Sequence, residues 1–207
     1  MTEPHPWRLH LVTDRLACGV RGVEAVVQAA VQGGVSCVQL REKTLDTRAF
    51  VALARALRAH LAPLRIPLLI NDRVDVALAS GADGVHVGQS DMRPDDVRRL
   101  MPQALLGLSI ENEEQLRDAE QWPVDYYGLS PVFATPTKAD TAPALGLHGV
   151  RRLRALTLRP LVAIGGIDEQ NAAAVMAAGA DGLAVVRTLC GAPDPARAAR
   201  SLLRAMA

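Results

Sequence analysis

The chain is poor in aromatic residues, in cysteine and in net charge, and each shortage excludes a class of function. Aromatic side chains make up 3% of the 207 residues, too few for a platform that stacks nucleic-acid bases. The 23 basic and 22 acidic side chains leave a net charge of +1, so no basic excess attracts a phosphate backbone. We therefore expect no nucleic-acid partner.

Long apolar runs and cysteine pairs are also missing. No run reaches the roughly 18 apolar residues that read as a membrane span, and residues 1–8 contain two prolines and no apolar segment. We expect neither a membrane span nor a signal peptide. Cys18, Cys37 and Cys190 are odd in number and far apart, which argues against a disulfide framework and a zinc knuckle. A reduced, cytoplasmic setting fits this pattern.

Short apolar runs alternate with stretches rich in alanine, leucine and arginine along the chain. The runs are mostly continuous, as in parallel strands that are covered on both faces. They cover residues 9–13, 37–40, 68–70, 84–87, 105–109, 126–130, 161–164 and 182–186. The stretches between them carry apolar residues at helical spacing, such as Val23, Val26, Val27 and Ala30.

Eight strands and about eight helices predict an α/β fold, a TIM (β/α)8 barrel formed by residues 1–207 as a single domain. The sequence Gly-Ala-Asp-Gly occurs at 81–84 and again at 179–182, about four βα units apart. An internal repeat and a favourable turn sequence explain this echo equally well. The competing architecture is an open doubly wound sheet, but no G-x-G-x-x-G follows the first strand.

In such a barrel the active site lies at the carboxyl ends of the strands. Gln39, Arg41 and Lys43 follow one another at alternate positions there, so their side chains can share one face. Two cations and an amide suit a polyanion such as diphosphate. The alternative is a solvated loop in which Arg41 or Lys43 pairs with Glu42.

Asp72 and Asp91 follow the third and fourth predicted strands. Two carboxylates from neighbouring strand ends suit Mg²⁺, which binds through one or two carboxylates plus substrate phosphates. The same pair can instead act as acid and base. The alternatives are a salt bridge between Asp72 and Arg73 and a helix N-cap at Asp91. We expect His86, inside the fourth strand, to support other groups rather than to catalyse.

A second set of polar residues follows the later strands. The long loop after the sixth strand offers Thr135, Thr137 and Lys138, which form either a closing lid or a solvated tip. Gly165 and Gly166 open the loop after the seventh strand, where this fold usually binds phosphate, although tight packing also explains them. Two anion sites predict that two phosphorylated substrates are joined with loss of diphosphate.

At these residues the chain resembles the thiamine-phosphate synthase family over essentially its whole length. Five motifs occur in the same order, at residues 39–43, 71–72, 84–91, 131–138 and 163–167. The resemblance implies a transferase that joins 4-amino-2-methyl-5-pyrimidinylmethyl diphosphate to a thiazole phosphate, with or without a carboxylate. Thiamine phosphate and diphosphate are the implied products.

The resemblance also implies roles for individual residues. Mg²⁺ is the implied cofactor, and its ligands are Asp72 and Asp91. The implied contacts of the pyrimidine diphosphate are Gln39, Arg41, Lys43, Asn71, Ser109 and Lys138. The implied contacts of the thiazole phosphate are Thr135, Thr137, Gly166, Val186 and Arg187. The implied catalytic set is Lys138, Arg41, Lys43 and Ser109.

Three positions depart from the family pattern, and three other functions stay open. Arg187 stands where the family usually has serine, Glu111 where many members have histidine, and Ser130 where glycine is common before Pro131. These changes bear on substrate tuning. The other functions are a thiazole tautomerase of the same fold, another barrel lyase or isomerase of phosphosugars, and a non-catalytic protein that binds thiamine phosphate. The sequence also leaves a homo-oligomer open.

Overall fold

Eight parallel strands close into a barrel in the computed structural model, which describes residues 6–135 and 143–207. The strands are β1 (Leu9–Val12), β2 (Cys37–Leu40), β3 (Leu68–Asn71), β4 (Gly84–Val87), β5 (Leu105–Ile110), β6 (Tyr126–Leu129), β7 (Leu161–Ile164) and β8 (Gly182–Val185). Each strand pairs with the next, and β8 pairs with β1. The predicted TIM barrel is confirmed, and the open sheet is wrong.

Ten α-helices surround the barrel within the described residues. They are α1 (Arg15–Cys18), α2 (Gly22–Gln32), α3 (Thr47–Leu61), α4 (Val74–Ser80), α5 (Pro94–Leu100), α6 (Glu113–Ala119), α7 (Gly146–Arg154), α8 (Ala172–Ala177), α9 (Arg187–Cys190) and α10 (Pro195–Ala205). The two helices beyond the predicted eight are α1 and α9, single turns that follow β1 and β8 directly. No helix in the described part of the chain is long and apolar enough to cross a membrane.

Helix starts follow from capping side chains. The Asn112 side chain accepts a hydrogen bond from the backbone N–H of Gln115 and so caps α6, as the sequence predicts. Asp194 caps α10 in the same way, with Pro195 at the first helical position. Asp46 caps α3, and so fixes the end of the loop that follows β2.

Apolar side chains fill the barrel on both sides of its wall. Strand residues that point outward pack against the helices, whereas Val12, Cys37 and Leu69 point inward. The indole of Trp7 lies 4.6 Å from the ring of Tyr126 inside the barrel, measured between ring centroids. A methyl group on Gly182 would meet the Trp7 carbonyl at 1.6 Å, so the chain before β1 lies directly against β8.

The echoed sequence has a common role in the turns before β4 and β8. Asp83 accepts a hydrogen bond from the backbone N–H of Leu68 (2.8 Å), and Asp181 accepts one from that of Leu161 (2.7 Å). The equivalent contacts before β2 and β6 are made by Ser36 and Asp125. The echo therefore marks a contact that repeats at every second strand and secures the start of the strand before it.

Candidate active site

A cavity of about 790 Å³ opens at the carboxyl ends of the strands and gathers most of the predicted residues. Those that line it are Gln39, Arg41, Lys43, Asn71, Asp72, Asp91, Ser109, Thr135, Gly166, Val186 and Arg187. Thr137 and Lys138 lie outside the described residues. The two anion-binding regions inferred from the sequence therefore face one common space.

The loop after β2 presents two cations to this space. The Lys43 Nζ atom lies 2.7 Å from Asp72 Oδ2, and the lysine side chain is 54% exposed. Arg41 is half-buried and lines the same cavity. The alternative that Arg41 or Lys43 forms an ion pair with Glu42 is wrong, because the Glu42 carboxylate pairs with Arg15 across 2.6 Å.

The two aspartates lie in the loops that follow the adjacent strands β3 and β4, as predicted, and both line the cavity. Asp72 adopts a positive φ of 63°, a backbone conformation that aspartate and asparagine tolerate better than most residues. Its ion pair is with Lys43, and Arg73 pairs with Asp75, so the alternative salt bridge is wrong. The alternative that Asp91 is a helix N-cap is also wrong, since Arg93 precedes α5 without a side-chain cap.

The environment of Asp91 shows that the two carboxylates interact. Asp91 Oδ2 accepts a hydrogen bond from the Gly88 N–H (2.7 Å). Partial burial and the nearby Asp72 carboxylate raise the pKa of Asp91, against the opposing effects of that hydrogen bond and of Lys43. Two carboxylates held this close repel each other unless a cation lies near them.

The donor set fits Mg²⁺ shared with a substrate. Among the described residues, no group of three or more His, Cys, Asp or Glu side chains could hold a metal. Asp72 and Asp91 offer two carboxylates, the hard oxygen donors that Mg²⁺ prefers, and Mg²⁺ usually completes its shell with water and substrate phosphates. The residues present therefore suit an ion that binds together with a diphosphate.

A polar network inside the barrel supports Ser109. His86 Nε2 lies 2.9 Å from Ser109 Oγ, and His86 Nδ1 lies 2.8 Å from the Tyr126 hydroxyl. A methyl group on Gly107 would come within 2.4 Å of both rings, so glycine makes room for them. The prediction that His86 supports other groups agrees with these contacts. The sequence did not predict a role for Tyr126. The signal that could have indicated it is Gly107, a glycine inside β5 that suggests a large side chain packed against the strand.

The opposite side of the cavity is built from the loops after β7 and β8. Gly165 and Gly166 both have positive φ values, 106° and 63°. A methyl group on Gly166 would lie 2.8 Å from Phe133 Cβ and 3.0 Å from the Ala134 carbonyl oxygen. The hydroxyl of Thr188 donates to the Ile167 carbonyl (2.7 Å) and ties the two loops together. Gly166 is therefore tightly packed and also lines the cavity.

Replacing Gly166 by alanine is expected to raise the KM for a phosphorylated substrate bound at this loop about 10-fold or more, because the added methyl group displaces the chain at Phe133 and strains a left-handed residue. Gly81 is a matched control, since its φ is 69° and nothing lies within 4 Å of an added methyl group. Steady-state kinetics would separate the two. An unchanged KM in Gly166→Ala would contradict a phosphate subsite at this loop.

Glu42 is held by four hydrogen bonds beneath the cation-bearing loop. Besides the Arg15 contact, its Oε1 atom accepts from the backbone N–H of Lys43 and from the N–H and hydroxyl of Thr44, each at 2.9 Å. Burial alone would raise the pKa of Glu42, but the hydrogen bonds from Thr44 and Arg15 outweigh it and lower the pKa to about 2.

This lowered pKa predicts acid-dependent stability. An unfolded glutamate has a pKa of about 4.5, so the stabilisation by ionised Glu42 is complete above that value and is lost as the pH falls towards 2. We expect Glu42→Gln to lower the free energy of unfolding by about 2 kcal/mol at pH 7, and the gap to wild type to narrow below pH of about 4.5. Denaturant titrations between about pH 3 and 7 test this; a gap that is constant with pH would contradict it.

The fold and the cavity place the chain in a class of barrel proteins, and the similarity to known proteins identifies its family. A (β/α)8 barrel with cations, carboxylates and glycine loops at its mouth is typical of barrel proteins that act on phosphorylated compounds. The model of the family described as thiamine monophosphate synthase matches residues 9–189. The chain therefore belongs to the thiamine monophosphate synthase family, and the resemblance found in its sequence is confirmed.

Relatives match over nearly their full lengths. A thiamine-phosphate synthase from Albidiferax ferrireducens is 59% identical over 196 residues, which cover 94% of this chain and 90% of that protein. One from Vibrio campbellii is 50% identical over 201 residues, covering 97% and 98%. The structure of thiamine phosphate pyrophosphorylase from Pyrococcus furiosus has a TM-score of 0.89 at 33% identity, covering 97% and 96%. A 3-hexulose-6-phosphate synthase shares the fold alone, with a TM-score of 0.71 at 17% identity.

Proposed function

We propose that this protein is a thiamine-phosphate synthase, a transferase that joins 4-amino-2-methyl-5-pyrimidinylmethyl diphosphate to a thiazole phosphate. The observation that carries the proposal is the shared cavity, in which the cations and carboxylates of β2–β4 face the glycine loop of β7. Membership of the thiamine monophosphate synthase family supports it. One space that accepts two anions suits a reaction between two phosphorylated substrates.

In this proposal the cofactor is Mg²⁺, held by Asp72 and Asp91 together with the diphosphate. The ion, when bound, supplies positive charge that stabilises the departing diphosphate. The fit of the residues supports this role: two interacting carboxylates lie on adjacent strand ends, and Lys43 lies 2.7 Å from one of them.

The remaining residues hold the two substrates in place. Arg41 and Lys43 bind the diphosphate, and Lys138 neutralises the charge that grows on it as it leaves. The pyrimidine diphosphate also contacts Gln39, Asn71 and Ser109. The thiazole phosphate contacts Thr135, Thr137, Gly166, Val186 and Arg187. His86 keeps the Ser109 hydroxyl in position through their 2.9 Å contact.

Positioning and electrostatics account for the proposed reaction. Diphosphate leaves before the new bond is complete, and electron donation from the 4-amino group through the pyrimidine ring stabilises the resulting methylene cation. The thiazole nitrogen, held nearby through its phosphate, then captures that cation. No protein nucleophile is required, so the catalytic benefit comes from orientation and from charges aimed at the leaving group.

All three departures from the family pattern fall on the cavity wall and concern substrate tuning. The lining of the cavity includes Arg187, Glu111 and Ser130. The exposed Arg187 guanidinium can add a contact to the phosphate or to a thiazole carboxylate. The partners we propose are small phosphorylated molecules rather than nucleic acid or membrane. The free thiols of Cys18, Cys37 and Cys190 agree with a cytoplasmic location.

The test separates synthase, tautomerase and binding protein. Purified protein is given the thiazole phosphate carboxylate alone, thiamine phosphate alone, or both substrates with Mg²⁺, and each mixture is followed by NMR and chromatography. The proposal expects thiamine phosphate to be formed in the complete mixture, and expects no isomerisation of the carboxylate when it is given alone. Isomerisation of the carboxylate without coupling would establish the tautomerase, and binding of thiamine phosphate without turnover would establish the binding protein.

A further inference from the structure

The loop between β2 and α3 carries Arg41 and Lys43 but has no strand ladder to hold it, because β2 ends at Leu40. The segment after β1 supplies that support instead. The Arg41 N–H donates to Thr13 Oγ1 (3.0 Å), and the Thr13 hydroxyl donates to the Arg41 carbonyl (3.3 Å). Thr13 is fully buried, so this contact is shielded from water.

Glu42 completes the support on the other side of Arg41. Its side chain is only 2% exposed and is turned away from the cavity, which it does not line. It joins the backbone of Lys43 and Thr44 to the guanidinium of Arg15, two residues beyond Thr13. The segment after β1 therefore braces the cation-bearing loop at two consecutive residues.

We propose that Glu42, braced by Arg15, is a positioning residue that fixes the loop after β2 so that Arg41 and Lys43 converge on the diphosphate. The inference deepens the proposed function and rests on it. Glu42 touches no substrate in this arrangement and acts through the main chain of its neighbours. The barrel ladder does not depend on it, so its loss changes the loop more than the fold.

The charge of Glu42 lets the direction of the change in diphosphate affinity distinguish a positioning role from an electrostatic one. Removing a negative charge near an anion site should by itself strengthen diphosphate binding. A role in global stability alone should leave the affinity of the folded protein unchanged. The positioning role predicts the opposite of the electrostatic effect, because a loosened loop must be ordered again each time diphosphate binds.

Isothermal titration calorimetry with inorganic diphosphate and Mg²⁺ measures directly whether each variant binds diphosphate more weakly or more tightly. Glu42→Gln is expected to raise the dissociation constant about 30-fold, the effect of losing a charged hydrogen-bonded contact. Arg15→Met should raise it less, because Glu42 keeps its three contacts to Lys43 and Thr44. Arg15→Lys should restore much of the affinity. The KM for thiazole phosphate should stay unchanged in all three.

Asp181→Asn is the matched control, because Asp181 also joins an arginine to a backbone N–H but lies before β8, at the other end of the barrel. It should lose stability and keep its diphosphate affinity. Because the Arg15 side chain is 39% exposed, we expect Arg15→Met to fold, and its dissociation constant for diphosphate tests the proposal if Glu42→Gln does not fold. Equal or tighter binding by the folded variants would overturn the inference alone. A wild-type protein that does not bind diphosphate with Mg²⁺ would overturn the proposed function as well.

Discussion

Asp72→Asn is expected to lower kcat for thiamine phosphate formation about 10³-fold at saturating substrates. Asparagine tolerates the positive φ of 63° at this position, so the change removes a charge while keeping the backbone. The proposed Mg²⁺ site loses one of its two protein ligands. A metal ion that stabilises a leaving group contributes several kcal/mol, and each 1.36 kcal/mol changes the rate tenfold.

Asp75 provides the matched control for this prediction. It lies three positions along the chain, carries the same charge, pairs with Arg73 and does not line the cavity. Asp75→Asn should keep near-normal turnover, since an exposed ion pair contributes little to stability. Mg²⁺ titration of both variants would show whether only Asp72→Asn needs more metal. Normal turnover in Asp72→Asn would contradict a metal site at this strand end.

Lys43→Met is expected to lower kcat/KM for the pyrimidine diphosphate about 10²-fold, with little change in the KM for thiazole phosphate. Methionine keeps the length of the side chain but loses the ammonium group that lies 2.7 Å from Asp72 Oδ2. One charged contact to phosphate is removed, and Asp72 loses its partner, so the two carboxylates repel each other more strongly.

Lys43→Arg tests whether charge alone is sufficient. The chain has 21 arginines and only two lysines, Lys43 and Lys138, and the sequence predicts that both contact the pyrimidine diphosphate. An ammonium group is compact and fits close beside a carboxylate, whereas a guanidinium is planar and wider. Lys43→Arg should therefore recover only part of the lost kcat/KM. Wild-type values in both variants would contradict a role for this side chain in diphosphate binding.

The sequence predicts the barrel well because parallel strands covered on both faces are continuous apolar runs. Their ends set the level of the cavity, so Arg41, Lys43, Asp72 and Asp91 could be placed together before any contact was known. The scarcity of lysine is a further sequence signal for Lys43. These features depend on short-range pattern and on the general geometry of the fold.

The partners of these residues could not be predicted in the same way. Glu42 lies next to both cations in the chain, yet it pairs with Arg15, 27 residues away. Asp72 prefers Lys43 to its neighbour Arg73 for the same reason, since two strand ends approach in space. The contact between His86 and Tyr126 needs the strand register as well, because β5 lies between their strands and the glycine at position 107 leaves room for both rings.

The most direct test of the central claim is the yield of both products from the purified wild-type protein. The pyrimidine diphosphate and thiazole phosphate are mixed with and without Mg²⁺, and thiamine phosphate and inorganic diphosphate are quantified together. The account predicts equal amounts of the two products, formed only with Mg²⁺. Folded protein that releases no thiamine phosphate, or forms it equally well after Mg²⁺ is removed, would contradict the account.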